Sequence, residues 1–142
     1  MRPIVELLKQ REATVWNLSP DISVFDALRR LADHNVGAMM VMEQDRLVGV
    51  FSERDYTRKI ALAGKSSKNT LVKDIMTAKV LSVSAQTSTQ DCMALMSQNK
   101  IRHLPVLQGD KVLGMISIRD LMDEIIKDHE LTISQLHTYI SS

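Results

Sequence analysis

The strongest constraint on how this chain can fold is that it carries nearly the same message twice. A shift of 65 residues lays positions 15–60 on 80–125 without a gap. Eleven of the 46 pairs are identical, among them Ser23/Ser88, Asp26/Asp91, Gly49/Gly114, Ser52/Ser117, Arg54/Arg119 and Asp55/Asp120. Most other pairs exchange one apolar residue for another. The identities gather at turns, helix starts and one polar motif, a distribution that composition alone does not produce. A repeat of this kind is one supersecondary unit built twice, and a unit of roughly 46 residues has too little interior to hold itself together. The two copies are therefore expected to pack on each other about a pseudo-twofold axis.

Each copy reads strand, helix, strand, strand, helix. A short apolar strand opens it, at 15–18 and 80–83. Ser23-x-x-Asp26 and Ser88-x-x-Asp91 then start a helix, the serine hydroxyl serving the free amides of the first turn. Val24, Ala27, Leu28 and Leu31 share one face, matched by Cys92, Met93 and Met96. Two strands follow, 36–42 with 47–51 and 103–107 with 112–116. The second pair is joined through Gly109-Asp110, the stronger turn signal of the two connections. A further helix begins after Ser52 and after Ser117, and Gly64 suits the end of the first of these. Residues 65–69 form a polar linker and 72–77 a short helix leading to the second copy. The expected fold is α/β of the α+β type, two β-α-β-β-α repeats with short terminal helices. Residues 1–70 hold the first repeat with an N-terminal helix at Ile4–Lys9, and 71–142 the second with a C-terminal helix at 132–140. That last helix opens at Thr132-x-x-Gln135 and sets Ile133, Leu136 and Ile140 on one side. An apolar terminal helix has to cover something, either this chain's core or a partner.

Composition narrows the function. Eighteen Lys and Arg against 17 Asp and Glu leave a net charge of +1, so nothing calls for a polyanionic partner. Five aromatic residues give little to stack nucleobases on, which argues against nucleic acid. No run approaches the ~20 apolar residues of a membrane span. An acidic residue, Glu6, precedes any long apolar stretch, unlike a secretory leader. The single Cys92 forms no internal disulfide, which suits a reducing compartment, and the expected location is the cytoplasm. It aligns with Ala27 on an apolar helix face and is expected in the core. The histidines at 34, 103, 129 and 137 lack metal-site spacing. No phosphate-binding glycine loop or nucleophile with its base can be assembled, so no enzyme activity is expected.

The polar motif is Gly-x-x-Ser-x-Arg-Asp, at Gly49–Asp55 and Gly114–Asp120. It follows a strand and opens a helix, where free amides and the positive dipole end favour anions. Arginine forks onto phosphate oxygens, and a carboxylate's two acceptors suit adjacent hydroxyls. Together they fit a ribose-phosphate. The same Ser-x-x-Asp is also a capping box, which asks nothing of the arginine. Both readings stand at this point.

These residues, with Arg102-His103-Leu104-Pro105-Val106 and Val72-Lys73-Asp74-Ile75-Met76-Thr77, resemble the tandem CBS pair, or Bateman module, over about positions 15 to 125. The tails make the chain similar to small stand-alone bacterial CBS-pair proteins. The resemblance implies a regulatory module that binds AMP, ADP, ATP, NAD or S-adenosylmethionine between its copies, dimerises with a second CBS pair and signals to an unknown downstream protein. It maps ribose binding to Asp55 and Asp120, with Ser52, Arg54, Ser117 and Arg119 close by. Phosphate contacts map to Arg102 and His103, which in the family's cross-cleft arrangement serve the cleft anchored by Asp55. Adenine contacts map to Val15, Trp16, Asn17, Ala38, Met40, Leu104 and Ile118, with residues 80–82 in the second copy. Trp16 is otherwise a core residue. The copies differ, Gly37-Ala38 standing where the second has Arg102-His103, so the clefts should differ in phosphate contacts. From Arg54 to Lys73 six basic residues face one acidic residue, and from Asp120 to Glu130 five acidic residues face one basic residue. Arg58, Ser66, Ser67 and Lys68 are expected to extend a phosphate site beside Asp55.

Overall fold

A computed structural model of the chain describes residues 3–9 and 16–141. The elements run α1 (Ile4–Lys9), β1 (Asn17–Leu18), α2 (Val24–Asp33), β2 (Ala38–Glu43), β3 (Arg46–Ser52) and α3 (Glu53–Tyr56), the last continuing as a π-helical turn over Thr57–Ala61. The second half runs α4 (Val72–Ile75), β4 (Val83–Ser84), α5 (Thr89–Asn99), β5 (His103–Gln108), β6 (Lys111–Ser117) and α6 (Ile118–Ser141). Two three-stranded sheets result, β1-β2-β3 and β4-β5-β6, each with one parallel and one antiparallel pairing. The repeat extends to irregularities: the register shifts at Val41/Met42 and again at Val106/Leu107. The copies part where Pro105 replaces Met40. Asn17 pairs with Met40, but β4 starts pairing one step later, at Val83 with Val106, because Pro105 has no amide to give a ladder.

Helix starts are made as the sequence predicts. The Ser23 and Ser88 hydroxyls accept from the amides of Asp26 and Asp91 at 3.1 and 3.0 Å. Each helix turns its apolar face into a separate core. Leu18, Val24, Ala27, Leu31, Met39, Val41, Phe51 and Ile60 pack with Val72 and Ile75 of α4. Val83, Cys92, Met96, Leu104, Val106, Ile116 and Leu121 pack with Ile4 of α1. The helix that precedes the first repeat thus closes the core of the second. Ile4 is completely buried there, and Leu7 and Leu8 pack alongside it.

This crossing accounts for the paired glycines. A Cβ on Gly114 would sit 3.0 Å from Cδ2 of Leu8, and a Cβ on Gly49 2.5 Å from Sδ of Met76 and 3.0 Å from the Thr77 carbonyl. In each copy a side chain lies across the strand at the one position without a side chain of its own.

One expectation changes and another holds. The C-terminal region is not a separate helix from Thr132. It is the end of α6, which runs unbroken for 24 residues. No Gly or Pro interrupts it, and the Thr132 hydroxyl donates back to the Asp128 carbonyl at 2.9 Å instead of capping a new start. The core thiol is borne out: Cys92 is buried, and burial, reinforced by Asp91, pushes its pKa up to about 11.

Ile4→Ala should destabilise the protein by about 2–4 kcal/mol, the cost of emptying a buried aliphatic site, read from the urea midpoint. An unchanged midpoint would mean that α1 is not docked on the second core.

Candidate functional site

Both Ser-x-Arg-Asp motifs sit where an edge strand becomes a helix, and both are closed capping boxes. In the first, Asp55 Oδ2 accepts from the Ser52 amide at 3.0 Å and the Ser52 hydroxyl at 3.1 Å, while the Asp55 amide donates to Ser52 Oγ at 3.1 Å. In the second, Asp120 Oδ2 accepts from the Ser117 amide at 2.7 Å and hydroxyl at 2.9 Å, and the Asp120 amide donates to Ser117 Oγ at 3.2 Å. The first helical amides are also taken, Glu53 donating to Gly37 at 3.0 Å and Ile118 to Arg102 at 2.8 Å. The backbone alone therefore offers an anion less than the sequence suggested, and the weight falls on side chains.

The two boxes differ in the side chain one turn on. Asp55 Oδ1 receives Lys59 Nζ at 3.1 Å and, more loosely, the Thr77 hydroxyl at 3.4 Å. Lys59 also donates to the Ile75 carbonyl at 2.8 Å, so it ties the linker to the box. Sixty-five residues on, one helical turn past Asp120, stands Glu124, which is buried. The first carboxylate holds an ammonium from its own helix, and Glu124 occupies the matching position in the second copy. Sequence reading missed Lys59, although Asp-x-x-x-Lys is a readable helical pair. Thr77 left no local signal, since it arrives from 22 residues away.

The arginine that a cap does not require has work in the first copy. Arg54 Nη1 donates to the Lys100 carbonyl at 2.8 Å. Lys100 ends α5 in a left-handed conformation, so this bond joins the first repeat's box to a helix end of the second. His103 spans the same seam. It pairs with Ser117 in register, and its Cε1 would lie 3.9 Å from a Cβ on Gly37. Burial holds its pKa below the ordinary imidazole range, with Asp120 pulling it up and Arg102 pushing it down.

Strand alternation sorts the apolar candidates. Met39 and Val41 enter the first core, leaving Ala38 and Met40 buried on the opposite side of β2. Leu104 is the counterpart of Met39 and is fully buried in the second core. It packs among Val83, Val106 and Ile116. Ile118 is half-buried against that core. Trp16, expected either in the core or at the base, is 43% exposed and stacks on His34 with ring centroids 4.1 Å apart. Asn17 is exposed beside it, and Val15 lies outside the described residues. Arg58 and Arg119 are exposed. Ser66, Ser67 and Lys68 lie past the far end of the helix that Asp55 begins. They hold the start of α2: the Ser67 carbonyl accepts from Phe25, and the Lys68 ammonium sits 5.0 Å from the Phe25 ring centroid. Among the described residues no group of three or more His, Cys, Asp or Glu is arranged to hold a metal, and no helix is long and apolar enough to cross a membrane. A hollow of about 300 Å³ lined by Arg46, Leu47, Leu107 and Asp110 lies at the turn end of the hairpins, roughly 20 Å along β3 from the first box.

With this geometry established, known proteins offer a comparison. A family model described as the CBS domain matches residues 14–62 and 72–127. The chain is 42% identical over 131 residues to the CBS domain-containing protein CBSX3, mitochondrial, of Arabidopsis thaliana, covering 89% of this chain and 63% of that protein. It therefore spans a little under two thirds of that relative's length. A solved structure described as a putative signal-transduction protein with CBS domains from Burkholderia ambifaria is 42% identical, with a TM-score of 0.85, covering 88% of this chain and 94% of that one. A more distant structure, a hexameric CBS-CP12 protein from bloom-forming cyanobacteria, is 25% identical with a TM-score of 0.73, covering 82% and 65% respectively.

The lowered His103 pKa fixes the sign of one pH effect. As pH falls below the unfolded imidazole value of about 6.5, the unfolded chain takes up the proton first. The stability contributed by neutral His103 is thus complete above that pH and is lost as pH drops through its folded value. Urea titrations from pH 7.5 to 5 should show this loss in the wild type and a shallower one in His103→Gln. Equal slopes would show that the imidazole is not held in its neutral form at the seam.

Proposed function

This chain belongs to the CBS-domain family as a tandem pair, and from that premise we propose that it is a regulatory module binding an adenine nucleotide or adenosyl compound between its repeats. AMP, ADP, ATP, NAD and S-adenosylmethionine are the ligand class. CBS-domain proteins are generally regulatory and non-catalytic modules, and the matching family model is the CBS domain.

The observation that carries the reading is the fixed carboxylate at each repeat seam, with cations gathered at the first. One oxygen of Asp55 is locked by its own serine. The other holds a half-exposed ammonium and a long hydroxyl contact. A ribose diol is able to replace those two partners without opening the cap. Lys59, Arg54 and Arg58 then stand at the same helix start for phosphates. Ligand spanning both repeats biases their arrangement by its differential affinity. A micromolar ligand brings about 8 kcal/mol of binding free energy, of which only the difference between states signals. An output to a downstream protein and self-association of CBS pairs are part of the proposal.

A second reading has its own support. Both carboxylates already complete capping boxes, and Arg54 is committed to Lys100, which is how a ligand-free oligomerising adaptor would be built. Calorimetry with the five ligands separates the two. Binding that weakens roughly ten- to a hundredfold in Asp55→Ala or Asp120→Ala, the loss of a charged acceptor, supports the sensor. Absence of heat from all five ligands, in a protein that still self-associates, supports the adaptor.

A further inference from the structure

Helix α6 outruns the body of the protein. Leu121 and Glu124 are buried and Asp128 half-buried, but residues 129–138 are exposed on every side. A projecting helical arm of this length is marginal in water by itself. It nevertheless carries a stripe: Met122, Ile126, Ile133, Leu136 and Ile140 are 51, 52, 58, 56 and 81% exposed, and His129 stands in line with them. The steps from 122 to 126, 129, 133, 136 and 140 alternate four and three, the heptad spacing of a two-stranded seam. At about 100° per residue the stripe lies well round the helix from Leu121, Glu124 and Asp128, so it points away from the body. Exposed Leu131 falls off the stripe, on the line of those body-facing residues.

We propose that α6 pairs with α6 of a second copy of this chain as a parallel two-stranded coiled coil along this seam. The a positions are Ile126, Ile133 and Ile140 and the d positions Met122, His129 and Leu136. Within parallel coils, isoleucine at a with leucine at d favours two strands over three or four, a pattern met here by all three a positions and by Leu136. Flanking charge sets the orientation. Asp123, Glu130 and His137 occupy e, and Ile125, Thr132 and Tyr139 occupy g. A parallel pair sets Glu130 beside Ile125 of the partner subunit. An antiparallel pair centred on the seam sets it against Glu130 of the partner subunit, like charge on like. His129 makes one polar layer, which fixes register at a cost in stability. Two such stripes cover on the order of 1,000 Å², the lower bound for a specific interface. The inference does not depend on any bound nucleotide.

The test is sedimentation equilibrium of the full chain from 1 to 200 μM, with near-ultraviolet circular dichroism as the check on folding. The double variant Ile133→Asp, Leu136→Asp should raise the dissociation constant at least ~100-fold with the body's spectrum unchanged. His129→Leu should lower it about tenfold. Ile140→Cys should cross-link to a disulfide dimer under mild oxidation, with the buried Cys92 thiol, pushed up to about 11, taking no part. A chain that stays monomeric throughout overturns the proposal. So does association unmoved by the double variant, or an associated Ile140→Cys protein that does not cross-link, since that places the tips at opposite ends.

Discussion

Neither half of this molecule closes its own interior with its own repeat. The second sheet is completed by Ile4, from a helix that precedes the first repeat, and the first by Val72 and Ile75, from the connection between repeats. A chain so threaded holds its copies together through apolar burial rather than through a covalent joint or a large polar interface. Gly49 and Gly114 are the points where this succeeds or fails. At both, a residue from outside the repeat lies across an edge strand at van der Waals distance, and any side chain would have to move it. The strand end that follows each glycine, and with it the serine-aspartate box, inherits its position from that contact.

The boxes show how one arrangement serves two ends. Capping satisfies the first amides of a buried helix start and costs the carboxylate one oxygen. The other oxygen of Asp55 is shared with Lys59 and Thr77, both of which also report on the linker that passes over it. Whatever displaces them acts on the connection between the repeats. Arg54 to Lys100, and His103 against Gly37, lie on the same seam. The polar groups around the first box are thus also those through which the halves touch. Lys59 of the first copy is matched by Glu124 in the second, so the side chains around the two boxes differ over matched backbones.

The long helix α6 belongs to both parts of this description. Its first turns carry the Asp120 box and bury Leu121. Its last turns have left the body and present an apolar line to solvent. One unbroken helix joins the second box to that line.

Much of this was legible in the sequence. The two copies, their strand order, the serine caps and the core thiol follow from periodicity and spacing, because those are set by contacts within a few residues or on one helix face. The Asp55–Lys59 pair was equally local and was overlooked. That Leu104 faces the second core was not legible, because the sequence shows that a strand alternates but not which side meets the core. The unbroken α6 was hidden by Thr132, whose hydroxyl suits a helix start as well as a bond back to the preceding turn. Only the tertiary structure decided which sheet α1 covers, that Arg54 reaches Lys100 and that Thr77 reaches Asp55. These contacts join residues far apart along the chain. Local propensity contains no information about them, and they exist only once two amphipathic faces have found each other.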